Sequence, residues 1–291
     1  MEHTESSPGI QWFPGHMKKA ERMIEQNLRL VDAVCELRDA RIPRSSENPD
    51  VAGLIGAKPR LVILNRADQA DPAVTAQWRA FFKENGLPML ETDCQSGRGV
   101  AGFPAAVRAL LHEELQRLEQ KGQAGRKLRV MVLGVPNVGK SSFINRLAKR
   151  KAAEASDRPG VTKGKQWIAV DGGLELLDTP GILWPRFESP EVGLALAWTG
   201  AVRDDVFDVE SVAAALLSRL RTLYPAAAAA RYGLPDDPDL GGFELLEAAA
   251  KRRGFLVSRG ELDTERMARV LLDEFRGGKL GRITLERPSF S

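Results

Sequence analysis

Gly134-Val135-Pro136-Asn137-Val138-Gly139-Lys140-Ser141 and, 69 positions before it, Asn65-Arg66-Ala67-Asp68 decide the fold. The first stretch follows an apolar run at 128–133 and precedes a helical pattern reaching about Arg150. Strand, glycine-rich loop and helix in that order make a phosphate cradle. The glycines let backbone N–H groups approach phosphate oxygens, and the helix N-terminus adds positive potential. In such a cradle Pro136, Asn137, Val138, Gly139, Lys140, Ser141 and Ser142 line the phosphates. Lys140 reaches the β and γ groups and Ser141 ligates Mg²⁺.

Asn65-Arg66-Ala67-Asp68 follows Leu61-Val62-Ile63-Leu64, a buried-strand pattern, and so sits where ligands collect in open α/β sheets. The Asp68 carboxylate can accept from N1 and N2 of guanine; adenine lacks both donors. An acceptor left unpaired there is costly, so discrimination of roughly 10⁴ is expected. Arg66 can lie flat against a purine. With Asn65 these residues read the base. Thr92-Asp93-Cys94-Gln95-Ser96-Gly97 supplies a second base-binding loop, to which Cys94 and Gln95 contribute backbone groups.

Asp178-Thr179-Pro180-Gly181 lies 44 positions after Gly134. Asp178 is expected to hold Mg²⁺ through water, and the Gly181 N–H to meet the γ-phosphate. Thr162, in Arg158-Pro159-Gly160-Val161-Thr162, is the candidate switch threonine for Mg²⁺, the alternative being a plain loop. Ras-like GTPases place the phosphate loop first and the base-reading motif last. Here the order is inverted, so a circularly permuted Ras-like P-loop GTPase domain is predicted, with a six-stranded α/β sheet spanning 1–184. Helical periodicity at 191–198, 209–224, 242–253 and 264–275 predicts a small all-α C-terminal domain over 185–291.

Within the first part the pattern predicts a helix at 17–30, strands at 31–37, 60–64 and 88–92, and a helix opened by Asp71-Pro72. One amphipathic helix is predicted over 101–118, then strand 128–133 and a hairpin of 166–170 with 174–177 about Asp171-Gly172-Gly173. Hydrophobic content of 43% and charged content of 28% describe a soluble globular chain of 291 residues. No run approaches the roughly 18 to 20 apolar residues that span a bilayer. Met1–Ser7 lacks signal or transit character, and two cysteines imply neither a disulfide framework nor a metal site. Cytoplasm is the expected location. The net charge of +3 hides blocks: 121–165 carries +10, 166–250 carries −9 and 251–291 carries +4. Such blocks suit basic faces laid on a polyanion, or a solvated surface plus phosphate-site lysines.

Gln11-Trp12-Phe13-Pro14-Gly15-His16-Met17, Asp39-Ala40-Arg41-Ile42-Pro43, Asn65-Arg66-Ala67-Asp68, the Pro136-Asn137 loop and Leu176–Pro185 together resemble the ribosome biogenesis GTPase A family, the YlqF-related group of circularly permuted GTPases. The likeness runs from Gln11 to Pro288. It implies a GTP/GDP-binding, GTP-hydrolysing assembly factor that docks on the large ribosomal subunit in the GTP state. Hydrolysis stimulated by that particle then releases it, and a helical domain touches ribosomal RNA. A bacterial, monomeric protein without DNA or membrane partners is expected. The family usually has lysine where this chain has Arg66. Ras-like enzymes carry a water-orienting glutamine after the Asp-x-x-Gly motif, and this chain has Ile182. Intrinsic hydrolysis is therefore expected to be slow. His16 is the candidate water-positioning group, the alternative being a packing role within Trp12–Met17. Asn137 resembles the asparagine that holds K⁺ in potassium-activated GTPases; alternatively it is a turn residue. Other classes compatible with the motifs are an RNA-binding scaffold that rarely turns over and a P-loop ATPase or kinase.

Overall fold

The computed structural model describes residues 17–123, 125–152, 167–179, 181, 183–184, 187–235, 237–258 and 260–289. Strands Ala33–Asp39 (β1), Arg60–Asn65 (β2), Met89–Glu91 (β3), Leu128–Gly134 (β4), Trp167–Val170 (β5) and Leu174–Asp178 (β6) form one sheet in the order β3-β2-β1-β4-β6-β5. All neighbours run parallel except β5, which is antiparallel to β6. The three strands earliest in the chain make one half and the three later ones the other. They meet where β1 pairs with β4. Asp39 lies opposite Asn65, Leu37 opposite Gly134 and Val132 opposite Asp178, so every motif leaves the same edge of the sheet.

Register also sorts the faces. Val34, Glu36 and Arg38 share a face with Arg60, Val62 and Leu64. On that face helices Met17–Leu28 (α1) and Pro49–Ile55 (α2) bury Ile24, Leu28, Val51 and Ile55 against Val34, Met131, Leu133 and Leu177. Helix Pro72–Glu84 (α3) buries Val74, Trp78 and Phe82 against Val62 and Leu64. Between the two apolar clusters lies a buried ionic network. Glu36 accepts from Arg38 (Nε, 3.0 Å; Nη2, 2.9 Å), from Arg60 (Nε, 3.1 Å) and from Asn48 N (3.2 Å). Glu47 accepts from Arg38 Nη1 (2.9 Å) and Arg60 Nη2 (3.0 Å). Burial alone would raise the Glu36 carboxyl; the two guanidiniums outweigh it and hold it low.

The helix starts follow from their caps. Asn48 accepts from Asp50 N (3.0 Å) before Pro49, and Asp71 accepts from Ala73 N (2.8 Å) before Pro72. The single helix predicted over 101–118 is instead a 3₁₀ turn at Val100–Gly102, helix Phe103–Leu110 (α4) and helix His112–Gln120 (α5). The break falls at buried Leu111, whose φ and ψ of −102° and 21° leave the helical region. Helix Lys140–Ala152 (α6) follows the phosphate loop, and its Phe143 meets Phe103 edge-on at 5.1 Å.

The chain divides into two compact units, one of Pro14–Pro185 with Arg287–Ser291 and one centred on Arg186–Glu286. Of the described residues beyond Glu286, Arg287–Ser289 group with the sheet unit. In the second unit helices Pro190–Trp198 (α7), Pro225–Tyr232 (α9), Gly242–Arg253 (α10) and Thr264–Arg276 (α11) pack around Val209–Leu223 (α8). None of the helices among the described residues is long and apolar enough to cross a membrane.

One carboxylate organises that helical unit. Glu274 accepts from Arg231 Nε (3.0 Å), Tyr232 Oη (2.8 Å) and Arg253 Nη2 (3.2 Å). Burial raises its carboxyl, but these partners overcome that and hold it down to about 2, against 4.5 for the free group. A depressed carboxylate stabilises the fold fully above its unfolded value and loses that contribution as pH falls towards 2. Glu274→Gln is expected to cost the helical unit about 2 kcal/mol at neutral pH, because two guanidiniums lose their anion. Between pH 5 and 3 the melting temperature of the parent should fall more steeply than that of the variant. Parallel curves in calorimetry would refute this role.

Candidate nucleotide site

The tetrapeptide predicted to read the base touches the glycine-rich loop. Asn65 Nδ2 donates to the Val138 carbonyl at 2.8 Å across 73 positions of chain. Arg66 Nη2 donates to the Asn137 carbonyl at 2.9 Å. Arg66 and Asn137 have φ of 60° and 58°, and among the described residues they are the non-glycine positions with left-handed backbone. Each costs energy that the surrounding structure must supply, a cost found at functional sites. Gly139, at φ 98°, passes so near Asn65 that a Cβ there would stand 2.3 Å from Asn65 Nδ2. Glycine is required for that approach.

The second face of Asn65 is also used. Its Oδ1 accepts from Thr92 Oγ1 (3.2 Å) and Cys94 N (3.3 Å). The loop behind it is pre-shaped: Asp93 Oδ1 accepts from Gln95 N and Ser96 N (2.8 and 3.1 Å), and Arg146 of α6 donates to the Gln95 carbonyl at 3.2 Å. The Cys94 N–H and the Gln95 carbonyl, backbone groups of the predicted second base-binding loop, are thus engaged by Asn65 and Arg146. Burial pushes the Cys94 thiol up to about 11, which keeps it protonated at neutral pH. Asp68 follows, half-buried, while Ala67 N binds the Thr92 carbonyl at 3.1 Å.

Sequence reasoning missed the support beneath Arg66. Buried Asp39 takes Arg41 in a two-pronged pair (Nε, 2.9 Å; Nη2, 2.8 Å), and its Oδ2 lies 3.7 Å from Arg66 Nε. Burial pushes the Asp39 carboxyl up, but Arg41 and then Arg66 overcome this and hold it low. Burial shifts the Arg66 guanidinium downward, with Asp39 opposing. An acid-x-Arg triplet at the end of β1, on the edge that β2 and β4 share, was the available signal.

On the phosphate side Lys140 is 8% exposed and its Nζ pairs with the Asp178 carboxylate. Ser141 and Ser142 are exposed at the start of α6. Thr179 Oγ1 donates to the Val132 carbonyl at 2.7 Å, pinning the loop after β6 to β4. Gly181 packs on the phosphate loop: a Cβ there would fall 2.8 Å from Pro136 Cα. A serine hydroxyl and a carboxylate on this one edge form a hard oxygen donor set of the kind Mg²⁺ takes. His16, Thr162 and Ile182 lie outside the described residues.

A family model described as 50S ribosome-binding GTPase matches residues 129–217. Ribosome biogenesis GTPase A of Bacillus cereus is 47% identical over 279 residues, covering 96% of this chain and 94% of the relative. The chain belongs to the ribosome biogenesis GTPase A family. A Thermotoga maritima member is 33% identical over 96% of the chain. Mitochondrial ribosome-associated GTPase 1 of Mus musculus is 35% identical over 95% of this chain and 90% of its own. A GDP-bound YlqF structure superposes with a TM-score of 0.66 at 27% identity, covering 92% of this chain and 99% of that one. The GNP-bound YlqF from T. maritima gives 0.62 at 29% identity. Its six-stranded P-loop GTPase sheet with permuted motif order is thus a property this chain shares with its family.

Proposed function

We propose that this protein is a GTP-hydrolysing assembly factor of the ribosome, acting on the large subunit, docking with GTP and leaving when the particle stimulates hydrolysis. The observation that supports the guanine-nucleotide part is the Asn65–Val138 bond, which brings the Asn65–Asp68 tetrapeptide into contact with the Gly134–Ser141 loop. Family membership supports GTP hydrolysis and ribosome assembly. In this reading Asn65, Arg66 and Asp68 hold guanine, and Lys140 and the loop N–H groups hold the phosphates. Ser141, Asp178 and Thr162 would hold Mg²⁺, which supplies charge neutralisation at the phosphates. Since Lys140 and Asp178 are paired to each other, loading GTP with its metal redirects both. The Gly181 backbone, against Pro136, senses the γ-phosphate. His16 orients the attacking water, and Asn137 is a ligand for K⁺. The helical unit meets ribosomal RNA through the basic end of α10, Lys251 and Arg252. A cytoplasmic monomer fits the same reading.

The test measures phosphate release and co-sedimentation with large subunits. Turnover in K⁺ buffer is expected to rise about tenfold or more on adding the particles, and His16→Ala should remove the rise while leaving docking intact. GTP analogue should retain the protein on the particle and GDP release it. Equal sedimentation in both states together with unstimulated turnover would replace the reading by an RNA-bound scaffold.

A further inference from the structure

Asp39 closes β1 on the edge where Asn65 and Gly134 end their own strands. The turn that follows folds Arg41 back onto the Asp39 carboxylate. Asp39 N donates to Ser46 Oγ at 3.0 Å, and that hydroxyl donates to the Ile42 carbonyl at 2.7 Å. Ile42 N donates to the Asp39 carbonyl at 3.0 Å. Asp39 Oδ1 then accepts from Arg41 N (3.0 Å) and Arg41 Nε (2.9 Å), and Oδ2 from Arg41 Nη2 (2.8 Å). Both side chains are buried. An apolar pair of similar size would serve the packing as well. What the charges act on is Arg66.

The backbone around Arg66 is fixed from both sides. The Asn65 carbonyl accepts from Ala40 N (2.9 Å), the Arg66 carbonyl accepts from Gln69 N (2.9 Å), and Ala67 N donates to the Thr92 carbonyl (3.1 Å). What stays open is the acceptor that the guanidinium takes, and two lie within reach. One is the Asn137 carbonyl, 2.9 Å from Nη2; the other is the Asp39 carboxylate, whose Oδ2 is 3.7 Å from Nε. A carboxylate is the stronger acceptor, since hydrogen bonds to ionised groups are roughly twice as strong as neutral ones. Yet the carbonyl has the hydrogen bond, and the carboxylate stands too far off for one.

We infer that Arg41 is the cause: by occupying the Asp39 carboxylate with three N–H donors it keeps Asp39 from capturing Arg66, so that Arg66 stays on the Asn137 carbonyl and ties the 65–68 turn to the Gly134–Ser141 loop. The positive charge of Arg41 is also felt at Arg66 and pushes it away. Arg41 is thus a positioning residue that acts on Arg66 through Asp39. The consequence for binding rests on the nucleotide reading proposed above, in which Arg66 set against the loop lies flat on the purine.

In Arg41→Gln the buried carboxylate loses its cation and takes Arg66. Amides of 137–140 in the nucleotide-free chain should then exchange about tenfold faster, and affinity for GDP should fall about tenfold. Adding Asp39→Asn removes the pull, so the double variant should recover parent exchange and parent affinity. Arg41→Lys keeps the pair neutral, and with it the fold, but grips one carboxylate oxygen. It should shift both readouts in the same direction by a smaller factor. Failure of the double variant to recover overturns the role given to Arg41, because a merely structural pair loses more when both members go. Parent exchange in Arg41→Gln and Arg41→Lys overturns it as well. Faster exchange that the double variant reverses, with GDP affinity unmoved throughout, upholds the role of Arg41 and removes instead the nucleotide reading of residues 65–68.

Discussion

Asp68→Asn should weaken GTP binding about a thousandfold, near 4 kcal/mol, while leaving the melting temperature of the sheet unit unchanged. The tetrapeptide is held by Asn65 on Val138, by Arg66 on Asn137 and by Ala67 on Thr92, so its shape does not depend on Asp68. What Asp68 brings is a carboxylate able to accept two N–H bonds from guanine. An asparagine keeps one acceptor and turns the other into a donor, which then faces the guanine amino group. The pair is repulsive where it was charge-assisted. Xanthine differs from guanine in carrying a carbonyl where guanine has that amino group, so the variant should prefer xanthosine triphosphate. Calorimetry with both nucleotides reads the swap. A variant that still prefers GTP would show that the base is read elsewhere.

Much of this site was legible because its parts are short and each has a chemical reason to sit at a strand end. Gly134–Ser141, Asn65–Asp68 and Asp178–Gly181 needed only a shared sheet edge, and the parallel register provides it. The support was harder to see. Glu36 and Arg38 are 1% and 2% exposed yet charged, so an apolar-run criterion ends the first strand at Leu37, two residues before Asp39 closes it. Their burial depends on Arg60 and Glu47, which only tertiary pairing brings near.

Two helices were missed for different reasons. α2 spans seven residues, too few for helical periodicity to show, although Asn48-Pro49 carries its start. α9 is largely alanine, the strongest helix former, but uniform side chains leave no stripe to detect. A two-part division of the chain by periodicity carries no sign that Arg287–Ser289 group with the sheet unit. Long-range returns of this kind leave no local pattern.

Gly139→Ala should reduce affinity for GTP and GDP alike, by about a hundredfold, with the fold intact. Two effects add. At φ 98° an L side chain costs about 1–2 kcal/mol. The new methyl would also stand 2.3 Å from Asn65 Nδ2, which must retreat and release the Val138 carbonyl. That retreat separates the base reader from the phosphate loop, so the loss should appear for every guanine nucleotide, without the change of base preference expected of Asp68→Asn. On the proposed reading the two substitutions dissect one site: Asp68→Asn should change which base is taken, and Gly139→Ala whether base and phosphates are held at the same time. Parent-like affinity in Gly139→Ala, with far-ultraviolet circular dichroism unchanged, would mean the two segments bind their ligand without touching. The permuted chain would then owe its nucleotide site to something other than the contact between residues 65 and 138.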